Sequence, residues 1–134
     1  MDAFVVADSF LDLDAELYSV AAIELLSRGR ARGLAPPNWQ SEVRSALLEF
    51  ARDKRLPEGE TVKGNLDLLS DLPIDTDQEE DAQTAMDLCL THNLPYRSGR
   101  YLELARRRGV QLATLDADLE RAARAEGVDV FHAY

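Results

Sequence analysis

Residues Ala3-Phe4-Val5-Val6-Ala7 make an uninterrupted run of apolar, mostly strand-forming side chains, with no polar residue on either alternating face. A strand written this way must be covered on both sides, as strands at the centre of a parallel sheet are. That requirement dictates the rest of the chain, because parallel neighbours need crossover connections and the crossovers supply the covering layers. The covers are legible. Tyr18, Ala21, Ala22 and Leu25 recur at helical spacing within about Leu13 to Ser27, with Gly29 and Gly33 as stop signals. Val43, Ala46, Leu47 and Phe50 mark a second amphipathic helix over Trp39–Ala51, whose trailing segment Pro57 ends. Val62, Leu66 and Leu69 mark a third over Glu58–Asp71, weakened by Gly64.

Between and after these helices lie short strand candidates. Gly33-Leu34-Ala35-Pro36-Pro37 reads as a brief strand or connector with Pro37 opening the next element, and Leu72-Pro73-Ile74-Asp75 as at most a short edge strand. A helix follows over Gln78–His92 with Ala82, Ala85, Met86 and Cys89 inward, which makes Cys89 a small core residue. The last third reads as a helix Ser98–Arg108, a strand Val110–Thr114, a helix Ala117–Glu126 stopped by Gly127, and a strand Val128–Phe131. The expected class is α/β, a central and mostly parallel sheet of four to five short strands flanked by helices, with ligands beyond the carboxyl ends of the strands.

With 134 residues and 46% apolar side chains, the chain suffices for one core, so residues 1–134 read as a single domain. No internal repeat or low-complexity tract divides it. The net charge of −10 argues against broad adhesion to phosphate backbones, so any nucleic-acid contact must be local. Cys89 has no second cysteine to pair with, no Cys/His group has zinc spacing, the N-terminus lacks a basic leader region, and no apolar run reaches membrane-spanning length. These features lead us to expect a soluble, cytoplasmic protein without membrane contact.

The run Tyr101-Leu102-Glu103-Leu104-Ala105, leading through Val110-Gln111-Leu112-Ala113 to Thr114-Leu115-Asp116, resembles the end of a PIN domain, the fold of the VapC ribonuclease toxins. Glu42-Val43-Arg44-Ser45-Ala46-Leu47 is similar to that family's E-V-x-N-A-L stretch. The resemblance implies the three-layer PIN fold and a Mg²⁺- or Mn²⁺-dependent endoribonuclease of a toxin–antitoxin pair. Such a protein is commonly a homodimer, held inactive by its antitoxin. Four carboxylates around one or two ions carry the family's chemistry, since converging acids hold a divalent cation that activates water beside a phosphodiester.

Carried over residue by residue, the acidic positions split. Glu42 matches the second. Asp116 matches the fourth, and it also fits the N-cap of the following helix, two compatible roles because a cap leaves one carboxylate oxygen free. The first position, a D-x-S pattern aligned on Ser9, holds Ala7, with Asp8 one residue later. An offset of one residue turns a strand side chain to the other face, so Asp8 reads either as a solvated or capping residue or as a ligand rescued by a bulge. The third position holds Ser98, which reads as the N-cap of its helix or as an orienter of metal-bound water. Asp118 is a further candidate ligand from the first turn after Asp116.

Metal binding through Glu42, Asp116, Asp8 and Asp118 is therefore expected to be weak. Ser9 and Thr114 border the same place. Arg97, Arg100, Arg106, Arg107 and Arg108 form the basic concentration of the chain, either as a solvated face or, at Arg97 and Arg100, as contacts for RNA phosphate or an acidic partner segment. His92 and His132 read as surface or rim residues. Two functional expectations follow, a hydrolase with a thinned site and a catalytically silent domain that binds protein. A receiver-like phosphoacceptor with Asp8 in its pocket is weaker, because no lysine follows the strand Val110–Thr114.

Overall fold

The computed structural model describes residues 2–6, 31–52, 74–114 and 116–131. For β1 and part of the first described helix, Glu42 included, the description covers the backbone alone. In chain order the elements are β1 (Asp2–Val6), β2 (Ala31–Ala35), α1 (Trp39–Arg52), β3 (Ile74–Thr76), α2 (Ala82–His92), α3 (Tyr96–Arg108), β4 (Gln111–Ala113) and α4 (Ala117–Ala125). The strands form one sheet in the order β3-β2-β1-β4, every neighbouring pair parallel. The protein is thus α/β. The apolar run that opens the chain takes the interior position its composition requires.

Beyond β4, Val130 forms an isolated parallel bridge to Leu112, fastened by Leu112 N–H to the Asp129 carbonyl and Phe131 N–H to the Leu112 carbonyl, both 2.9 Å. The strand expected over Val128–Phe131 is therefore a single bridge. The expected piece Gly33–Pro37 starts earlier, at Ala31, and ends before its prolines, because Pro36 and Pro37 have no N–H to give a ladder. β3 is an edge strand, placed one residue after Pro73. The helices expected over Leu13–Ser27 and Glu58–Asp71 lie outside the described residues, as do Ala7, Asp8, Ser9 and His132.

α2 begins at Ala82 rather than Gln78, because Asp81 caps it. The Asp81 carboxylate accepts the Thr84 N–H at 3.1 Å and the Thr84 hydroxyl at 2.9 Å, which fixes the first turn there. Its buried side is Ala85, Leu88 and Cys89, so the inward stripe is rotated from the expected one and leaves Ala82 and Met86 exposed. α3 likewise begins two residues before the expected Ser98. Pro95 occupies the cap position with ψ 152°, and its carbonyl receives the Ser98 and Gly99 N–H groups at 3.0 and 3.1 Å. Ser98 is the third residue of the helix and not its cap.

α3 is the spine of the core. Tyr101, Leu102, Leu104 and Ala105 are all buried, and the helix packs against α2, α4, β1 and β4. Each large apolar side chain buried there stabilises the fold by about 1.5–3 kcal/mol. Gly109, at φ +63°, ends α3 by donating its N–H to the Ala105 and Arg106 carbonyls, a left-handed turn that glycine adopts without penalty. α2 and α3 form a hairpin that closes tightly at Gly99. A Cβ there would overlap the Cys89 sulfur and stand 3.0 Å from the Ala85 carbonyl oxygen.

Candidate functional site

The chain builds β1, β2 and β3 outward in one direction, then places β4 on the other side of β1. Strand order therefore reverses between β1 and β4, and the carboxyl ends flanking such a reversal open the crevice in which α/β proteins hold ligands. With neighbours about 4.8 Å apart, the ends of β2 and β4 stand roughly 10 Å apart on either side of the end of β1. Three segments leave those ends. Residues 7–9, which carry Asp8 and Ser9, follow β1. Pro36, Pro37 and Asn38 follow β2 and turn into α1, where Glu42 is the fourth residue; Thr114 to Asp116 follow β4 and turn into α4.

Asp116 is the N-cap of α4. Its Oδ1 accepts the N–H groups of Asp118 at 2.9 Å and Leu119 at 3.2 Å, while the buried Thr114 hydroxyl accepts the Asp116 N–H at 3.1 Å. The backbone of Asp116 is thus held by Thr114 and its carboxylate by the first turn of α4 through Oδ1, and no bond falls on Oδ2 among the described residues. Asp118 is exposed and paired with Arg121 at 2.6 Å, on the solvent side of the first turn. Glu42 sits in the first turn of α1 by its backbone; its side chain lies outside the described residues. One turn before it, Trp39 is 5% exposed, and its indole N–H meets no acceptor among the described residues.

Ser98 is 6% exposed, a neutral hydroxyl inside the first turn of α3. Two residues on, Arg100 is also buried. Its guanidinium binds the Glu80 carboxylate and the Pro37 carbonyl, which ties the start of α3 to the loop between β2 and α1. The turn carrying Ser98 is therefore anchored to the loop that leads to Glu42. Arg97 is exposed on the same turn.

The basic concentration is for the most part ion-paired, with Arg106, Arg107 and Arg108 reaching from the surface onto buried or half-buried acids. Arg107 binds Glu103 at 2.8 Å and Asp77 at 3.3 Å, Arg108 binds Asp77 at 3.0 Å, and Arg106 lies 3.5 Å from Glu126. Asp77 and Glu103 are buried. Glu103 also accepts the Asp81 N–H at 3.1 Å, so α3 is stitched along its length to residues 77–81. Burial alone would raise the Asp77 pKa. The Glu79 N–H and the Arg107 and Arg108 guanidinium groups outweigh burial and hold it below the ordinary carboxylate value. Arg107 is shifted upward, chiefly by its hydrogen bond to Glu103.

Asp77, Glu80 and Glu103 were not singled out in the sequence. One signal was present, since Glu103 sits between Leu102 and Leu104 in a buried run and stands four residues before Arg107. Asp77 and Glu80 carry no such signal, because their partners are 20 to 31 positions away. His92 is half-buried, in keeping with a rim position, with Nε2 2.7 Å from Glu126. Cys89 is the expected core residue, its thiol 3.5 Å from the Pro95 carbonyl and its pKa raised by burial.

Among the described residues no group of three or more His, Cys, Asp or Glu side chains is placed to hold a metal ion, and no helix there is long and apolar enough to cross a membrane. No protein-family model matches the chain, and no curated protein does. Among solved structures, the crystal structure of PAE2754 from Pyrobaculum aerophilum superposes with a TM-score of 0.67 at 18% identity, over 90% of this chain and 84% of that one. At that identity the likeness is one of fold.

Proposed function

We propose that this chain is a three-layer PIN-type domain of the VapC class, acting on RNA through a thinned acidic site at the carboxyl end of its sheet. The observation that carries the reading is topological. β2, β1 and β4 lie side by side and parallel, so the carboxyl ends of the strands that precede Glu42 and Asp116 flank that of β1 at the reversal of strand order, which supports a shared site at that edge. The motif resemblance around Glu42 and through Tyr101–Asp116 supports the same assignment.

Asp116 suits a divalent cation in one respect, with Oδ1 engaged as the cap and Oδ2 open. Ser98 does not suit one, since a neutral hydroxyl cannot offset cation charge. A Mg²⁺ or Mn²⁺ ion held by Glu42 and Asp116, with Asp8 and Asp118 as further candidates, would supply Lewis acidity beside the phosphodiester. The chain's own part is positional. Thr114 fixes the Asp116 backbone and the α4 N-terminus its carboxylate, the Arg100 tie fixes the turn carrying Ser98, and Arg97 is the candidate contact for an RNA phosphate or an acidic partner segment. A cognate antitoxin and a second copy of the chain belong to the same reading.

Two observations favour a second reading, a silent PIN domain kept as a protein-binding module. Ser98 is buried and neutral at the family's third acidic position, and Arg100 is committed to Glu80 and Pro37. RNA cleavage by the purified chain under a Mg²⁺ or Mn²⁺ titration separates the two. The hydrolase predicts metal-dependent cleavage that falls by orders of magnitude in Glu42→Ala and in Asp116→Asn, a change that keeps the cap while removing the charge. Absence of cleavage at every metal concentration, with the fold intact, contradicts the hydrolase and leaves the binding module.

A further inference from the structure

A groove of about 540 Å³ runs between α2 and α3 and reaches the end of α4, and none of the acidic-site candidates lines it. One wall is the α2 stripe Asp81, Thr84, Asp87, Leu88 and Thr91; the other is Glu103, Arg106 and Arg107, with Glu126 closing the end. Its charges do not cancel. Arg107 is committed to Glu103 and Asp77, and Arg106 lies against Glu126, which His92 also holds. Both oxygens of Asp81 are taken by Thr84, so its charge is hydrogen-bonded but not ion-paired. Asp87 meets only the Gln83 amide, at 3.1 Å, and no cation lies within ion-pair distance of it among the described residues.

We propose that this groove docks a basic segment of a partner protein, with an arginine side chain lying along the α2 wall between Asp81 and Asp87. Thr84, Leu88 and Thr91 line the groove beside the aliphatic stem of an arginine, while the Asp87 carboxylate meets its head and the Asp81 charge lies at the other end of the wall. At the Asp87 carboxylate a planar, forked guanidinium is a better match than a compact ammonium. The net charge of −10 adds long-range attraction for such a segment. An anionic occupant is opposed by the same groups. This surface is independent of the RNA site, and either assignment stands without the other.

The test is fluorescence anisotropy on the whole chain with a short dye-labelled peptide that has two arginines around a leucine, alongside NMR amide shifts. Asp87 is exposed, so Asp87→Lys leaves the core alone; Asp129→Lys makes the same change of net charge outside the groove. The expected result is saturable binding that weakens about tenfold in Asp87→Lys and stays within about twofold of wild type in Asp129→Lys. Shifts should concentrate at Thr84, Asp87 and Thr91, and a copy of the peptide with glutamate for arginine should not bind. Equal losses in the two lysine variants would reduce the effect to net charge and overturn the proposal. Shifts centred on Thr114 and Asp116, or no saturable binding, would overturn it as well.

Discussion

The hairpin of α2 and α3 aligns the turn carrying Ser98 and Arg100, and its closest approach gives a quantitative handle. In Gly99→Ala the new methyl group overlaps the Cys89 sulfur and stands 3.0 Å from the Ala85 carbonyl oxygen, which belongs to a helix backbone and has little room to yield. Cys89 is itself confined, with its thiol on the Pro95 carbonyl. Overpacking of this kind costs about 1–3 kcal/mol, and alanine returns up to about 1 kcal/mol of helix propensity, which leaves a net loss of about 1 kcal/mol. For a domain of this size that is about 3–4 °C in Tm. Cys89→Ala removes the atom the methyl group strikes. A double-mutant cycle by urea denaturation should therefore return a coupling of about 1–2 kcal/mol, with Cys89→Ala costing less in the Gly99→Ala background than in wild type. Relief stays incomplete because the Ala85 carbonyl remains. A Gly99→Ala protein as stable as wild type, or strictly additive effects, would refute the packing described for the hairpin.

Two further outcomes are expected. Asp77→Asn should cost about 1–2 kcal/mol near neutral pH, because Arg107 and Arg108, both partly in solvent, then face a neutral amide. The folded-state pKa of Asp77 is depressed, so its stabilisation is present above the unfolded value near ~3.9 and is lost as pH falls through the folded value. The gap between wild type and variant, followed by thermal melts, should close in acid, and a gap independent of pH would contradict the ionic account. Asp116→Ala should lose about 1 kcal/mol of cap energy while Asp116→Asn loses little. Equal losses would mean that the carboxylate, not the cap bond, holds the start of α4.

Much of the scaffold can be read from local patterns. The apolar run of β1 demanded an interior position and has one, and α1, α3 and α4 fall within two residues of the expected spans because their stripes and stops are strong. The misses have local causes. Asp81 outcompeted Gln78 as the start of α2 by capping it, and Pro95 displaced Ser98 as the start of α3. The arginines read differently because ion pairing across 20 or more positions leaves no periodic trace. Sequence placed them on a face or at a ligand, and the fold buries Arg100 against Glu80 and pairs the exposed Arg107 and Arg108 with the buried Glu103 and Asp77. Asp116 was legible because a cap is a local motif; Asp8, Ser9 and the Glu42 side chain lie outside the described residues.

The central claim, that Glu42 and Asp116 share a metal-binding edge left incomplete by Ala7 and Ser98, is tested most directly by calorimetric Mg²⁺ titration of wild type beside the double variant Ala7→Asp, Ser98→Asp. Because the resemblance puts both restored acids on that edge, the double variant should bind Mg²⁺ at least about tenfold more tightly than wild type, and adding Glu42→Ala should abolish the gain. Affinity that is the same in wild type and double variant, or a gain that survives Glu42→Ala, would contradict the shared site.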